Sequence, residues 1–153
     1  MIAVLQRVNR ATVRVDGRVV GEIGKGLLVL LGVGKGDTRE DCDRLAAKIA
    51  ACRIFRDAQE KMNLSVTDVE GGVLVVSNFT LLADYSHGNR PSYFDAAPPA
   101  EADALYRYFT DALRPRVASV ATGEFGADMK IEMEADGPVT ITMDSEILKQ
   151  GRR

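Results

Sequence analysis

"MKIEMEADGPVTITM", residues 129–143, carries the clearest period-two pattern in the chain. Met129, Ile131, Met133 and Ala135 alternate with Lys130, Glu132 and Glu134. Beyond Asp136-Gly137-Pro138, Val139, Ile141 and Met143 alternate with Thr140 and Thr142. Alternation of this kind puts the apolar set on one side of a pleated strand, and Asp-Gly is the commonest short-range turn signal. The stretch therefore predicts two strands joined as a hairpin with one buried face. Its proline is unusual, because it removes a donor where the returning strand begins. A glycine beside a fixed pyrrolidine ring also leaves main-chain carbonyls with no side chain between them and a ligand.

The other elements surround this one. Met1–Val8, Ala11–Val15 and Val19–Ile23 read as short β-branched strands, with Asp16-Gly17 as a hairpin turn. "LLVLLGV", Leu27–Val33, is continuously apolar, as suits a strand covered on both faces. Thr38 with Asp41 marks a helix start, and apolar residues at 42, 45, 46, 49 and 52 predict a helix over Arg39–Cys52. Short strands are expected at Arg53–Phe55 and Leu64–Val66, and a longer one over Val73–Leu82 after the Gly71-Gly72 turn. "ADYSHGNRPS" is a polar loop, and Pro98-Pro99 opens a second helix over Ala100–Leu113 that stops at Pro115. No linker, repeat or low-complexity segment interrupts the chain, so residues 1–153 form one domain.

Composition narrows the function. A hydrophobic fraction of 46% and a charged fraction of 27% suit a globular protein, and a net charge of −2 excludes a global basic footprint. A polyanion would have to be held by local groups: Arg7, Arg10, Arg14 and Arg18; Arg53, Arg56 and Lys61; Arg90; or Lys149, Arg152 and Arg153. Cys42 and Cys52 show no metal spacing, and along one helix they lie about 15 Å apart, so they cannot pair. A reduced, cytoplasmic protein with no membrane segment is expected. No metal or cofactor is expected either.

The chemistry is constrained by what is missing. His87, in the polar loop, is the only histidine, and no nucleophile elbow, HExxH helix or Cys-His pairing is present. Hydrolysis would have to rely on backbone donors, a weakly activated Thr or Ser, or groups of the substrate itself. "SNFTL", Ser77–Leu81, closes the apolar run Val73–Val76 with three polar side chains around Phe79. It is a second polar end on a strand, beside the Gly-Pro stretch.

Together these two stretches resemble the motifs of the D-aminoacyl-tRNA deacylases. An SQxT-type stretch corresponds to Ser77-Asn78-Phe79-Thr80, and a GPxT-type stretch to Gly137-Pro138-Val139-Thr140. The resemblance continues through "AVLQRVNRATVRVDGRVVGEIGKGLLVLLGV", "KIAACRIFRDAQEKMNLSV" and "GNRPSYFDAAPP". It implies a single compact α/β domain, with a largely antiparallel, barrel-like sheet flanked by two main helices, acting as a homodimer. The implied activity is hydrolysis of the ester joining a D-amino acid, or glycine mischarged on tRNA-Ala, to the 3′-terminal adenosine of tRNA. Ser77, Asn78, Phe79 and Thr80 would line the floor beside the ester, with the Phe79 and Thr80 N–H groups as oxyanion donors. Gly137 and Pro138, joined by a cis bond and followed by Val139 and Thr140, would enter the partner's pocket and exclude L side chains. Arg7 would hold that tip.

The chain departs from the family pattern in three places. Asn78 replaces Gln, Ala135 replaces an Asn that commonly precedes the Gly-Pro turn, and Glu60 replaces a turn Gly. Other readings are a catalytically weakened tRNA-binding homologue and an esterase of free D-amino-acid esters. An RNA-binding module built on stacking would need more than 6% aromatic residues.

Overall fold

The computed structural model describes residues 1–151; Arg152 and Arg153, counted above among the basic groups, lie outside the described residues. In chain order the elements are β1 (Ile2–Val15), β2 (Arg18–Ile23), β3 (Gly26–Gly32), α1 (Arg39–Ala51), β4 (Phe55–Arg56) and β5 (Met62–Leu64). They continue with β6 (Gly72–Ser77), a 3-10 turn (Phe79–Leu82), α2 (Pro99–Leu113), β7 (Ser119–Thr122), β8 (Lys130–Asp144) and α3 (Ser145–Lys149).

β1 organises the sheet. Its first half pairs antiparallel with β3 and its second half with β2, while β8 runs along the opposite edge of both halves. β3 continues in parallel to β6, and β6 in parallel to β7. The order β2-β1-β3-β6-β7 nearly closes on itself, because β2 lies against β7. Gly21 permits that approach, since a Cβ there would stand 2.1 Å from the Thr122 carbonyl oxygen. The fold is the expected barrel-like α/β domain with two main helices, plus the short α3.

Two cores result from the alternation. Val8, Ala11, Val13, Leu28, Leu74 and Val76 fill the barrel interior. Leu5, Leu27, Val29 and Leu31 point outward, beneath Leu45 and Ile49 of α1 and Phe109 and Leu113 of α2. β3 is therefore covered on both faces, as its unbroken apolar run implies.

The hairpin reading of residues 129–143 is corrected. β8 is a single strand, and both of its arms pair with β1: Ile2–Gln6 face Asp144–Thr140, and Val8–Arg14 face Ala135–Lys130. β1 presents a long edge of backbone donors and acceptors, and a strand running straight along it satisfies far more of them than a hairpin would. Asp136-Gly137-Pro138 is then a bulge in β8 opposite Arg7. The single buried face is corrected as well. Val139, Ile141 and Met143 pack against the core, but Ile131 and Met133 are 39% and 44% exposed. Likewise Met1–Val8 and Ala11–Val15 are one strand, and the strand expected over Val73–Leu82 ends at Ser77.

Asp41 ties α1 to α3. Its buried carboxylate accepts from the Thr38 N–H at 2.8 Å and the Thr38 hydroxyl at 3.1 Å, and faces Lys149 Nζ at 3.0 Å. Burial pushes this carboxyl up, but hydrogen bonds from Ser145, Thr38 and Lys149 outweigh it and hold it well below the usual carboxylate range. A depressed native value means that the unfolded chain binds the proton more readily. The stabilisation is therefore present above about pH 4 and is lost as pH falls through the native value. Urea midpoints measured at pH 7 and pH 3 are expected to diverge less for Asp41→Asn than for the parent.

Candidate active site

β6 is buried from Gly72 to Val76 between two parallel neighbours, so its carboxyl end is fixed rigidly. Ser77 pairs with Leu31, the Asn78 N–H donates to the Leu31 carbonyl at 2.8 Å, and the chain then turns into the 3-10 segment. A cleft of about 680 Å³ opens over this point. Ser77 lines it from the end of β6, Asn78 and Phe79 from the start of the 3-10 turn, Tyr93 and Phe94 from the loop before α2, and Phe125 and Met129 from the segment between β7 and β8. Phe79 meets Tyr93 edge to face, with ring centroids 5.1 Å apart. A mostly apolar cleft of this size, floored by a few polar groups, suits a ligand of nucleoside dimensions.

The Asn78 side chain has a defined task. Its Oδ1 accepts from the Thr80 N–H at 3.2 Å and also from the Thr80 hydroxyl. The amide oxygen only accepts, so the Thr80 hydroxyl is the donor and its lone pairs remain free. The Thr80 N–H, expected as an oxyanion donor, is thus already engaged. The Phe79 N–H opens the turn and has no intrahelical acceptor.

The Gly-Pro stretch is held from below. Arg7, buried in the gap opposite the bulge, donates through Nε to the Asp136 carbonyl at 3.0 Å and through a terminal nitrogen to the Ile54 carbonyl at 2.7 Å. Its Nε also lies 3.2 Å from the Asp136 carboxylate, which Arg56 approaches at 3.3 Å from the other side. Gly137 and Pro138 are exposed above this anchor, and the peptide bond between them is cis. Thr140 donates to Gln6 Oε1 at 2.8 Å, and Val139 packs inward.

Within one chain the two stretches do not meet. Ser77 is in register with Leu31, Leu31 with Ala3, and Ala3 with Met143, on the third strand away and five positions past Pro138. That is about 14 Å across the sheet and about 16 Å along it. Sequence reasoning named the floor but not the walls, because Tyr93, Phe94 and Phe125 lie in irregular segments that carry no periodicity. It also missed Arg56 and Asp136 as parts of the anchor. His87 is exposed in the loop before Tyr93.

The family model described as D-Tyr-tRNA(Tyr) deacylase matches residues 4–144. The chain belongs to the D-aminoacyl-tRNA deacylase family. A relative named D-aminoacyl-tRNA deacylase from Anaeromyxobacter dehalogenans (strain 2CP-C) is 57% identical over 148 residues, covering 97% of this chain and 99% of the relative. Another of that name, from Ruegeria pomeroyi, is 56% identical over 144 residues, covering 94% and 99%. Among solved structures, one described as c-Myc DNA Unwinding Element Binding Protein superposes with a TM-score of 0.89 at 39% identity, over 94% of this chain and 98% of that one. A probable eukaryotic D-amino acid tRNA deacylase superposes at 0.79 with 17% identity, over 93% and 97%, and attests the fold alone. In this deacylase family member the polar floor and the Gly-Pro bulge therefore lie three strands apart in one sheet.

Proposed function

We propose that the chain is a homodimeric hydrolase that cleaves the ester linking a D-amino acid, or glycine mischarged on tRNA-Ala, to the 3′-terminal adenosine of tRNA. By family it is an enzyme acting on ester bonds. In this reading Ser77, Asn78, Phe79 and Thr80 form the floor beside the ester. Gly137 and Pro138 of the partner subunit close the cleft with a rigid main-chain edge that leaves no room for an L side chain. Val139 and Thr140 fasten the far side of that edge, and Arg7 fastens the near side.

The observation that carries the reading is the separation of cleft and bulge in one chain: a second copy is needed to bring them together. Two features support a dimer. Among the described residues β8 pairs only with β1, so its outer edge is open, and Ile131 and Met133 stand exposed beside the bulge. The reaction needs no metal or cofactor, and it places the protein in the cytoplasm with charged tRNA. No described helix is long and apolar enough to cross a membrane.

The Phe79 N–H, which has no acceptor within its turn, supports oxyanion stabilisation by the main chain, and the hydroxyl of Thr80, its proton committed to Asn78, supports a role in positioning the attacking water. The deciding experiment is deacylation of D-, L- and glycyl-tRNA side by side, with free D-amino-acid esters as a control. D-aminoacyl- and glycyl-tRNA should be cleaved and L-aminoacyl-tRNA spared. RNA-independent turnover of the free esters would favour a small-molecule esterase, and tRNA binding without turnover a weakened homologue. Sedimentation at micromolar concentration should give twice the 16.6 kDa chain mass, and a monomer would remove the partner's edge from the site.

A further inference from the structure

Phe94 is 75% exposed at the rim of the cleft, an unusual place for a phenylalanine with no polar function of its own. The ammonium of Lys35 lies over its ring, 3.4 Å from the centroid. The backbone builds this pair. Gly34 and Ala96 form an isolated bridge, the Lys35 N–H donates to the Asp95 carbonyl at 2.9 Å, and the Ala97 N–H donates to the Val33 carbonyl at 3.0 Å. Lys35 joins none of the ion pairs among the described residues, although Asp95 is its neighbour in the bridge. An uncompensated cation and an open aromatic face are thus held together at the mouth of a cleft of nucleoside size.

We propose that Phe94 and Lys35 receive the nucleotide that precedes the terminal adenosine, with its base stacked on the Phe94 ring and its phosphate against Lys35. The inference rests on the function proposed above, in which the RNA end enters this cleft. Single-stranded nucleic acid is commonly gripped by this pairing, because every base has a stacking face and every linkage carries a charge. Such a contact is indifferent to the amino acid, so it adds affinity for charged RNA without touching the ester.

The test compares two substrates, D-aminoacyl-tRNA and D-aminoacyl-adenosine, which keeps the ester and terminal nucleoside but lacks the preceding nucleotide. Phe94→Ala should raise KM for D-aminoacyl-tRNA about tenfold with kcat unchanged. The same substitution should cost D-aminoacyl-adenosine, which lacks that nucleotide, clearly less than it costs D-aminoacyl-tRNA, since only the tRNA loses the stacked base. Lys35→Gln should weaken tRNA binding and make the slope of log affinity against log salt shallower by about one. Equal losses on both substrates would place Phe94 against the terminal adenosine and overturn the assignment, as would unchanged kinetics on both. A Phe94→Ala protein that sediments as a monomer would move Phe94 to the subunit interface and also overturn it. A parent that cleaves neither substrate would refute the proposed function itself, and this inference with it.

Discussion

Gly137→Ala is expected to lower cleavage of every aminoacyl-tRNA, glycyl-tRNA included, by about a hundredfold or more, because displacements near 1 Å at a reacting centre cost that much. Gly137 has φ +140°, and a Cβ there would lie 2.6 Å from the Val139 nitrogen and 2.9 Å from a Val139 methyl. Neither neighbour can yield freely, since Val139 packs against the core and Arg7 fixes Asp136 on the other side. The edge itself must move. Pro138→Ala acts differently, by removing the ring that locks φ and so loosening the carbonyls. Its D-aminoacyl-tRNA cleavage should fall, and the ratio of D to L rates should shrink, because exclusion by a clash fails once the obstacle is mobile. Parallel assays of D-, L- and glycyl-tRNA, with sedimentation to confirm dimers, would decide the matter. Wild-type rates and selectivity in both folded variants would reduce the bulge to a structural feature.

Replacing the terminal adenosine by its 2′-deoxy form should slow cleavage by about a hundredfold, the scale of a lost general acid–base group. The reason lies in what surrounds Thr80. The side-chain partner of its hydroxyl is the Asn78 amide oxygen, which is no base, and the one histidine sits in an exposed loop. With no group among the described residues placed to activate a threonine nucleophile, the ribose hydroxyl beside the ester is the nearest candidate to assist water. Thr80→Ala should accordingly lose no more than about tenfold in kcat, the worth of one positioning hydrogen bond. Abolished turnover in a folded Thr80→Ala protein that still binds tRNA would instead establish threonine as the nucleophile.

The elements that were legible in the sequence are those decided locally. The Asp16-Gly17 turn, the Thr38–Asp41 helix start and the two-sided burial of Leu27–Leu31 each depend on a few neighbouring residues. β8 was legible as a period but not as a partner, because alternation names a face and says nothing about which edge a strand completes. β7 has only four residues, three of them half-buried, and α3 spans only Ser145–Lys149, so neither offers a pattern long enough to read. The site divided in the same way. Its floor and tip were visible as polar residues ending apolar runs, whereas its aromatic walls come together only through tertiary packing. The departure at Asn78 has a consequence of its own: the short side chain reaches back to the Thr80 N–H and occupies a donor counted as free. At Glu60 the backbone takes φ +63°, the conformation for which glycine is better suited.

Both arms of β8 take their register from β1 directly, one through Val8–Arg14 and the other through Ile2–Gln6. Neither arm inherits its alignment across Asp136-Gly137-Pro138. A residue added or removed there would leave every inward side chain of both arms facing as before, unlike a slip within a continuous ladder, which reverses them all. The tip is in this sense a cassette on a fixed frame. Its length and composition can be rewritten, by selection or in the laboratory, while the barrel beneath keeps its alignment.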